Sequence, residues 1–245
     1  MGASKSAAER AARIELAGAY RLAAHYGWEY LIYNHIALRV PGESSFLVKP
    51  HSLCFSEVRA SDLIKLGLDG KPATFEEDVN TAGFVIHTAI LNARPDIHCT
   101  LHVHTAVGIA FAALKRELLP LNQNAMRFYK RLSYHDFEGF ATELDEARTL
   151  ASDLGPSNTA MVLRNHGLLT CGEGAAEAVS TMLALLLCCE AQLLVHGSGA
   201  EYELPPPAIC EHSAAQNTAI RRQVAAQERA AFDRLLDRID PSYKL

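Results

Sequence analysis

Residues 87–104 read HTAILNARPDIHCTLHVH, and this stretch decides the prediction of the fold. Its first half carries apolar residues at helical spacing and stops at Pro95, which predicts the end of a helix there. Its second half is a short segment in which apolar and polar residues alternate, as in a strand, and it ends in His102-Val103-His104. Residues two apart on a strand face the same side, so both imidazoles can approach one ion.

The two histidines alone are weak evidence for a metal site. With 11 histidines in 245 residues, about 0.5 pairs of the form H-x-H are expected by chance. Two histidines that face a polar groove are the alternative interpretation. His166, in the turn Asn165-His166-Gly167 between two apolar segments, is a second candidate ligand. A histidine in a turn beside glycine can equally stabilise the turn through hydrogen bonds. The residues alone therefore do not decide whether His166 is a metal ligand or a structural residue.

Outward from this stretch, apolar periodicity and turn residues predict interleaved helices and strands. The predicted helices cover residues 6–26, 57–66, 76–92, 105–114, 143–154, 174–196 and 213–239. The predicted strands cover residues 31–40, 46–48, 99–104, 160–164 and 168–171. Several strand pairs are joined too tightly for a crossover helix, which favours a mixed, largely antiparallel sheet covered by helices.

Composition predicts one domain over residues 1–245, with a core at about 10–200 and a helical tail at about 208–245 after a proline run. The chain is 49% hydrophobic with a net charge of −5, and without a Lys/Arg block we expect no nucleic-acid partner. The most apolar run, Met182–Cys189, is too short to span a bilayer, so we expect no membrane partner. The polar start and six cysteines without a C-x-x-C pair favour a reducing cytoplasm.

Three segments together resemble the class II aldolase/adducin family. They are H-x-x-I-x-x-A-R-P-D at His87–Asp96, H-x-H at His102–His104 and N-H-G-L-L at Asn165–Leu169. The resemblance runs from about Leu16 to Val195, and Leu118–Gly139 is similar to the adducin-like bacterial branch. It implies a three-layer α/β/α sandwich with a mixed, largely antiparallel central sheet, a small-molecule substrate and a homo-oligomer, commonly a tetramer.

The resemblance also implies a metal site. Carried over residue by residue, its ligands are His102, His104 and His166. Three neutral imidazoles leave an open position for substrate, as in catalytic zinc sites. One divalent ion per subunit is expected, with zinc favoured and manganese or iron also accepted by these ligands. The ion would polarise a substrate carbonyl and stabilise an enediolate.

The sequence departs from the aldolases of this family at the proton-transfer and phosphate positions. The glutamate expected four residues before the helix histidine is Gly83, and His35 stands where an asparagine is usual. The phosphate-binding turn contains Lys49 and His51. The resemblance therefore implies Asn34, His35, Lys49 and His51 as candidate substrate ligands, with a carboxylate as the expected anion.

His35 is one candidate for the missing acid/base role. The other candidates lie in a stretch rich in titratable groups after the H-x-H strand: Tyr129, Tyr134, His135, Asp136 and Glu138. The alternative is that this stretch is a solvated, hydrogen-bonded loop.

Three functions compete on these observations. The first is a metal-dependent lyase of the aldolase or decarboxylase type, acting on a small carbonyl-bearing, carboxylated substrate. The second is a non-catalytic scaffold like the adducin head domain, favoured by the glycine at position 83. The third is an iron-dependent oxygenase on the same three histidines.

Overall fold

A seven-stranded sheet crosses the computed structural model, which describes residues 6–69, 78–139 and 144–245. In chain order its strands are β1 His35–Arg39, β2 Ser45–Val48, β3 Ile64–Gly67, β4 Cys99–Val103, β5 Ser133–His135, β6 Ala160–Leu163 and β7 Gly167–Gly172. The α-helices of the described chain are α1 Ala7–His25, α2 Thr81–Ala93, α3 Ala106–Ala112, α4 Leu144–Leu154, α5 Ala175–Ser198 and α6 Pro207–Ile239. Within the same described residues, 3₁₀ turns lie at Phe55–Glu57, Ala125–Phe128 and Pro241–Lys244.

The strand order across the sheet is β3-β2-β1-β4-β7-β6-β5. Every neighbouring pair is antiparallel except β5 and β6, which run parallel at one edge. The registers set His35 on β1 opposite His102 on β4, and His102 opposite Leu169 on β7. The predicted mixed, largely antiparallel sheet is confirmed.

Helices cover both faces of the sheet and give two apolar cores. The core under α1, α3 and α5 includes Leu16, Leu101 and Met182, all fully buried. The core under α2 and α4 includes Ile90 and Met161, also fully buried. The three-layer arrangement predicted from the sequence is therefore present, with α6 packed on the outside of α5 and α1.

Helix α2 is held at both ends, and this fixes its position over the sheet. Asn80 caps its first turn by accepting a hydrogen bond from the Gly83 N–H at 3.0 Å. At the other end the guanidinium of Arg94 pairs with Asp96 at 2.7 and 2.8 Å and donates to the Gly155 carbonyl at 2.7 Å. The A-R-P-D motif thus ends the helix and anchors it to the loop after α4.

Helix α5 is the one helix of the described chain that is long and apolar enough to cross a membrane by length and composition. Half of its most apolar window is buried within the fold. The helix lies against β7 and β4 on one side and α6 on another, as a core helix does.

Several predicted elements differ from the structure. The helix predicted at residues 57–66 is wrong, because Ile64–Gly67 pairs along β2 as an edge strand, and that pairing outweighs the local pattern. Strand β5 was not predicted, since three residues are too few for a recognisable alternation. The strand predicted from residue 31 begins at His35, after a loop in which Leu31 has a φ of +45°. The tail helix begins at Pro207 instead of 213.

Helix α2 is shorter than predicted within the described chain, whereas α4 matches its prediction there. Helix α2 begins at Thr81, after its Asn80 cap, while residues 76–77 of the prediction lie outside the described residues. Helix α4 begins at Leu144, and residue 143 likewise lies outside them.

Candidate metal centre

Three histidine side chains converge where β4 ends beside the turn between β6 and β7. One ring nitrogen each of His102, His104 and His166 lies within 4.8 Å of the others. The Nε2 atoms of His102 and His104 are 2.7 Å apart, and the three ring centroids are 4.5 to 4.9 Å apart. His102 is fully buried and the other two rings are half-buried, so the cluster opens to one side.

The backbone around the cluster explains the sequence that forms it. In the N-H-G turn, Asn165 has a φ of +56°, a conformation that asparagine adopts more readily than most residues. A Cβ at Gly167 would lie 2.7 Å from the Val103 carbonyl oxygen and 3.0 Å from the His104 ring. Glycine there lets β7 approach β4 closely enough for His166 to reach the pair on β4.

The orientation of His102 and of His104 is set by hydrogen bonds. The Nδ1–H of His102 donates to the Leu168 carbonyl oxygen at 3.0 Å, which leaves Nε2 with its lone pair directed at the cluster. Asn34, which is buried, accepts the His104 backbone N–H at 3.1 Å and donates to the Trp28 carbonyl at 2.6 Å. Both functions of the Asn34 amide are therefore used in placing the end of β4.

A second histidine pair extends the cluster into the α2 layer. His35 Nδ1 lies 2.8 Å from His87 Nε2, and His87 Nδ1 lies 2.6 Å from Thr100 Oγ1. The His35 ring stacks at a tilt on the His102 ring, with centroids 5.0 Å apart. A Cβ at Gly83 would lie 2.8 Å from His35 Cδ2 and 3.1 Å from its Nε2. The His35 ring therefore fills the space beside α2 where a side chain at position 83 would begin.

Burial keeps these histidines neutral. It lowers the pKa of His166 to about 4, with a further contribution from His104 and His135. Burial lowers the pKa of His102 well below its ordinary value and also lowers the pKa of His104. The pKa of His87 falls to about 3, and that of His35 falls well below its ordinary value, both mainly through burial. Neutral imidazoles are the form that binds metals.

The donor set fits a divalent transition metal. Zinc–nitrogen bonds of about 2.0–2.1 Å in tetrahedral geometry place two ligand nitrogens about 3.4 Å apart. The three nitrogens here span up to 4.8 Å and the closest two are 2.7 Å apart, so small side-chain rotations bring them onto such an ion. Three imidazoles would leave one coordination position for a substrate.

His135 and Phe137 flank His166 on the side away from β4. The rings of Phe137 and His166 have centroids 6.4 Å apart. His135 Nδ1 lies 2.8 Å from Asp153 Oδ2 on α4. Of the acid/base candidates predicted from sequence, His35 and His135 thus lie beside the metal cluster.

Tyr129 is placed elsewhere. It follows the 3₁₀ turn Ala125–Phe128, which packs against α6. Its ring contacts the Lys130 ammonium at 5.3 Å, and Lys130 pairs with Glu211 of α6. Within this chain the structure does not bring Tyr129 to the histidine cluster.

The predicted anion-binding residues Lys49 and His51 sit on the loop after β2. The buried Lys49 ammonium donates to the carbonyls of Ile32, Pro50 and His51 at 2.9 to 3.3 Å. These carbonyls occupy its three donors, so Lys49 joins the loop before β1 to the loop after β2 instead of facing a ligand. Burial lowers its pKa to about 8. His51 is half-buried, with its ring 6.3 Å from that of Tyr33.

Sequence reasoning assigned no role to His87, Thr100 or Asp153. His87 is part of the H-x-x-I-x-x-A-R-P-D motif, but the motif alone does not show that its ring contacts His35. Thr100 stands two residues before His102 on the same face of β4, and this spacing was a signal for it. Nothing in the local sequence of α4 distinguishes Asp153.

Comparison with known proteins identifies the family. The profile of the Class II Aldolase and Adducin N-terminal domain matches residues 14–193, which is most of the chain. This chain belongs to the class II aldolase/adducin family. A class 2 aldolase-family protein of Pseudomonas aeruginosa is 44% identical over 200 residues, covering 81% of this chain and 77% of that protein. Alpha-adducin of Rattus norvegicus is 41% identical over 189 residues, covering 76% of this chain but 26% of the adducin.

Solved structures of the family share the fold of this class II aldolase/adducin domain. An aldolase II superfamily protein from Pseudomonas syringae superimposes with a TM-score of 0.91 at 39% identity, covering 98% of each chain. An L-fuculose 1-phosphate aldolase from Glaciozyma antarctica gives a TM-score of 0.81 at 25% identity, covering 97% of this chain and 94% of the aldolase. The family resemblance and the fold class predicted from the sequence are confirmed.

Proposed function

We propose that this class II aldolase/adducin domain is a metal-dependent lyase that cleaves a carbon–carbon bond next to a carbonyl in a small carboxylated substrate. The observation that carries the proposal is the convergence of His102, His104 and His166, whose ring nitrogens lie within 4.8 Å. Burial lowers the pKa of each ring, which favours the neutral form that binds metals, and a hydrogen bond leaves the lone pair of His102 on Nε2. The family includes aldolases, which supports the reaction class.

These three residues would hold one divalent ion, and we propose zinc, with manganese or iron as alternatives. When bound, the ion supplies Lewis-acid polarisation of a carbonyl oxygen. The protein contributes a partly buried setting in which charge–charge interactions are stronger than in water.

The charge of the cluster supports an anionic substrate. Among the described residues, the ligand cluster consists of three histidines without a carboxylate. Neutral ligands leave the charge of a divalent ion uncompensated, so an anionic substrate is attracted to the open position. A 2-oxo carboxylate suits this site because it carries a negative charge next to the carbonyl group that the ion would polarise.

His35 is the proposed hydrogen-bond donor to that substrate. The buried Thr100 hydroxyl can donate to His87 Nδ1, so that His87 Nε2–H donates to His35 Nδ1. His35 then carries its own proton on Nε2. A neutral imidazole N–H can stabilise a developing oxyanion without taking a proton from the substrate. Asn34 orients His104 in this proposal, and Lys49 fixes the adjoining loops.

A non-catalytic scaffold is the second candidate function. The identity to alpha-adducin, 41% over 189 residues, supports it, as does the absence of a side chain at Gly83. The two candidates differ in whether the three histidines hold a metal. In either case we propose a single domain over residues 1–245 and a homo-oligomer, as expected from the family.

The test is elemental analysis of the purified protein beside His102→Ala and His166→Ala variants. His98→Ala is the matched control, because His98 is exposed and immediately precedes β4. We expect about one equivalent of metal in the wild type and the control, and loss of metal in both ligand variants. The metal-loaded protein is then screened with 2-oxo acids for release of an aldehyde or carbon dioxide, and with oxygen if iron is found. A wild-type protein that stays empty after incubation with zinc, manganese and iron would refute the enzyme proposal.

A further inference from the structure

His135 has an unused buried nitrogen beside the metal cluster. The residue is 3% exposed, and its Nε2 has no hydrogen-bond partner within the described part of the chain. A buried polar atom without a partner is costly unless it serves a ligand, so this atom requires an explanation.

Asp153 fixes which nitrogen of His135 remains free. Its carboxylate oxygen Oδ2 lies 2.8 Å from His135 Nδ1. An ionised carboxylate only accepts hydrogen bonds, so Nδ1–H is the donor and Nε2 of the neutral ring keeps its lone pair. The interaction joins edge strand β5 to α4 and holds the ring in one orientation.

The position of strand β5 brings His135 close to the turn that carries His166. His135 pairs with Leu163 in the parallel register of β5 and β6, three residues before His166. The Arg164 backbone N–H, two residues before His166, donates to the His135 carbonyl at 2.8 Å, so the two histidines lie on adjacent segments of the chain. Phe137, two residues further on, faces the same ring at 6.4 Å and is 53% exposed.

We propose that His135, oriented by Asp153, is the catalytic proton acceptor that takes the place of the carboxylate missing at Gly83. This inference rests on the proposed function, and it assigns the substrate class: a carbonyl compound with a hydroxyl on the β-carbon. The reaction is therefore aldol cleavage, because decarboxylation would not require a group that removes a hydroxyl proton. Asp153 is a positioning residue in this assignment.

The step balances without an oxidant or reductant. The substrate hydroxyl gives its proton to His135 Nε2, and its oxygen forms the new C=O bond of an aldehyde. The bond between the hydroxyl-bearing carbon and the α-carbon breaks, and its electron pair passes onto the substrate carbonyl as an enolate. The proton then returns from Nε2 to the α-carbon, so one β-hydroxy carbonyl compound gives an aldehyde and a shorter carbonyl compound.

The test uses zinc-loaded full-length protein and two kinds of probe. Oxalate, which offers only chelating oxygens, measures the metal site by calorimetry. A series of 4-hydroxy-2-oxo acids, beginning with 4-hydroxy-2-oxobutyrate, measures cleavage by the release of pyruvate. The variants are His135→Asn, His135→Gln, Asp153→Ala and Asp153→Asn, with His98→Asn and Glu190→Gln as exposed matched controls.

We expect both His135 variants to lose about 10²- to 10⁴-fold in kcat while oxalate affinity stays within about twofold. The kcat of Asp153→Ala should fall towards that of the His135 variants. Asp153→Asn should retain more activity, because its amide oxygen can still accept the Nδ1–H of His135. The controls should match the wild type. Nitrogen NMR of His135 in the metal-free protein should show Nδ1–H in the wild type and a mixture of tautomers in Asp153→Ala.

Two results separate the failure of this inference from the failure of the proposed function. If the zinc-loaded wild type binds oxalate but cleaves none of the 4-hydroxy-2-oxo acids, or if both His135 variants keep the wild-type rate, the assignment of His135 is overturned and the metal site stands. If the wild type does not bind zinc or oxalate, the proposed function itself fails.

Discussion

The ring of His35 occupies the space that a side chain at position 83 would need: a Cβ at Gly83 would lie 2.8 Å from His35 Cδ2. Real Cβ contacts are essentially never that short. His87, one helical turn further along α2, holds the His35 ring against this point through a 2.8 Å contact between ring nitrogens. A side chain at position 83 therefore requires the His35 ring to move from its present position.

Gly83→Ala should destabilise the protein by about 1–3 kcal/mol in the free energy of unfolding, because the added methyl group overpacks against His35. Replacing glycine by alanine inside a helix otherwise stabilises a protein by about 1 kcal/mol. A loss of stability would therefore indicate the contact with His35, and a gain would indicate helix propensity alone. In a His35→Ala background the same change should become neutral or stabilising. Urea unfolding of the four proteins measures this cycle, and an equal cost in both backgrounds would show that the contact is not the cause.

The metal-free protein should lose stability as the pH falls from about 6.5 towards 4. The pKa of His87 is lowered to about 3 and that of His166 to about 4, whereas in the unfolded chain both lie near 6.5. Below pH 6.5 the unfolded chain binds protons that the folded chain excludes. Each such histidine therefore lowers the free energy of unfolding by up to about 1.4 kcal/mol for each pH unit of acidification.

Unfolding by urea at a series of pH values, with a chelator present, measures that dependence. The slope of the free energy of unfolding against pH reports how many protons are taken up on unfolding. Between pH 6 and 4, His87→Gln should reduce that number by about one. His98→Ala, at an exposed position, should leave it unchanged. A His87→Gln protein with the wild-type slope would show that His87 is protonated in the folded state.

Asn34→Ala should weaken zinc binding by about 10- to 100-fold, the effect expected when a residue that orients a metal ligand is removed. The side chain accepts the His104 backbone N–H and donates to the Trp28 carbonyl, so its loss frees the end of β4. Competition with a coloured chelator measures the affinity. Asn92→Ala is the control. Asn92 lies in the last turn of α2, and its side-chain amide donates to the Leu68 carbonyl instead of to the metal cluster. Equal zinc affinity in both variants would exclude a role for Asn34 in the site.

The protein should be a homo-oligomer, with a tetramer as the expectation from the family. Light scattering coupled to size exclusion should give a multiple of the 26.7 kDa chain mass. Leu187 and Leu194, seven residues apart on α5 and 51% and 68% exposed, are apolar surface that such assembly would cover. A monomeric mass across the accessible concentration range would contradict this prediction.

Residue patterns were sufficient to predict five of the seven strands, and the family resemblance identified the three convergent histidines. Alternation along β4 and the glycine in the N-H-G turn are local signals with direct physical meaning, and the structure brings their histidines together. Tightly connected strands likewise predicted antiparallel pairing. These features are determined by residues close together in the chain, which is why pattern analysis detected them.

The remaining parts of the site depend on residues far apart in the chain. The contact of His87 with His35 joins residues 52 apart, and the contact of His135 with Asp153 joins an edge strand to a helix. Lys49 was expected to face an anion, yet the structure directs its ammonium at three carbonyls. A side chain's type indicates what it can bind, but only tertiary packing decides which partner reaches it.

The hydrogen bond from His102 Nδ1 to the Leu168 carbonyl crosses the pairing between β4 and β7. Its acceptor exists at the required position only after these two strands have joined, and the N-H-G turn that carries His166 forms at the same junction. For the proposed metal site, loading of an ion would therefore follow the pairing of β4 with β7. Ligand identity alone discriminates poorly among divalent transition metals. The ion that the proposed site acquires would then depend on which metals are available to the folded protein.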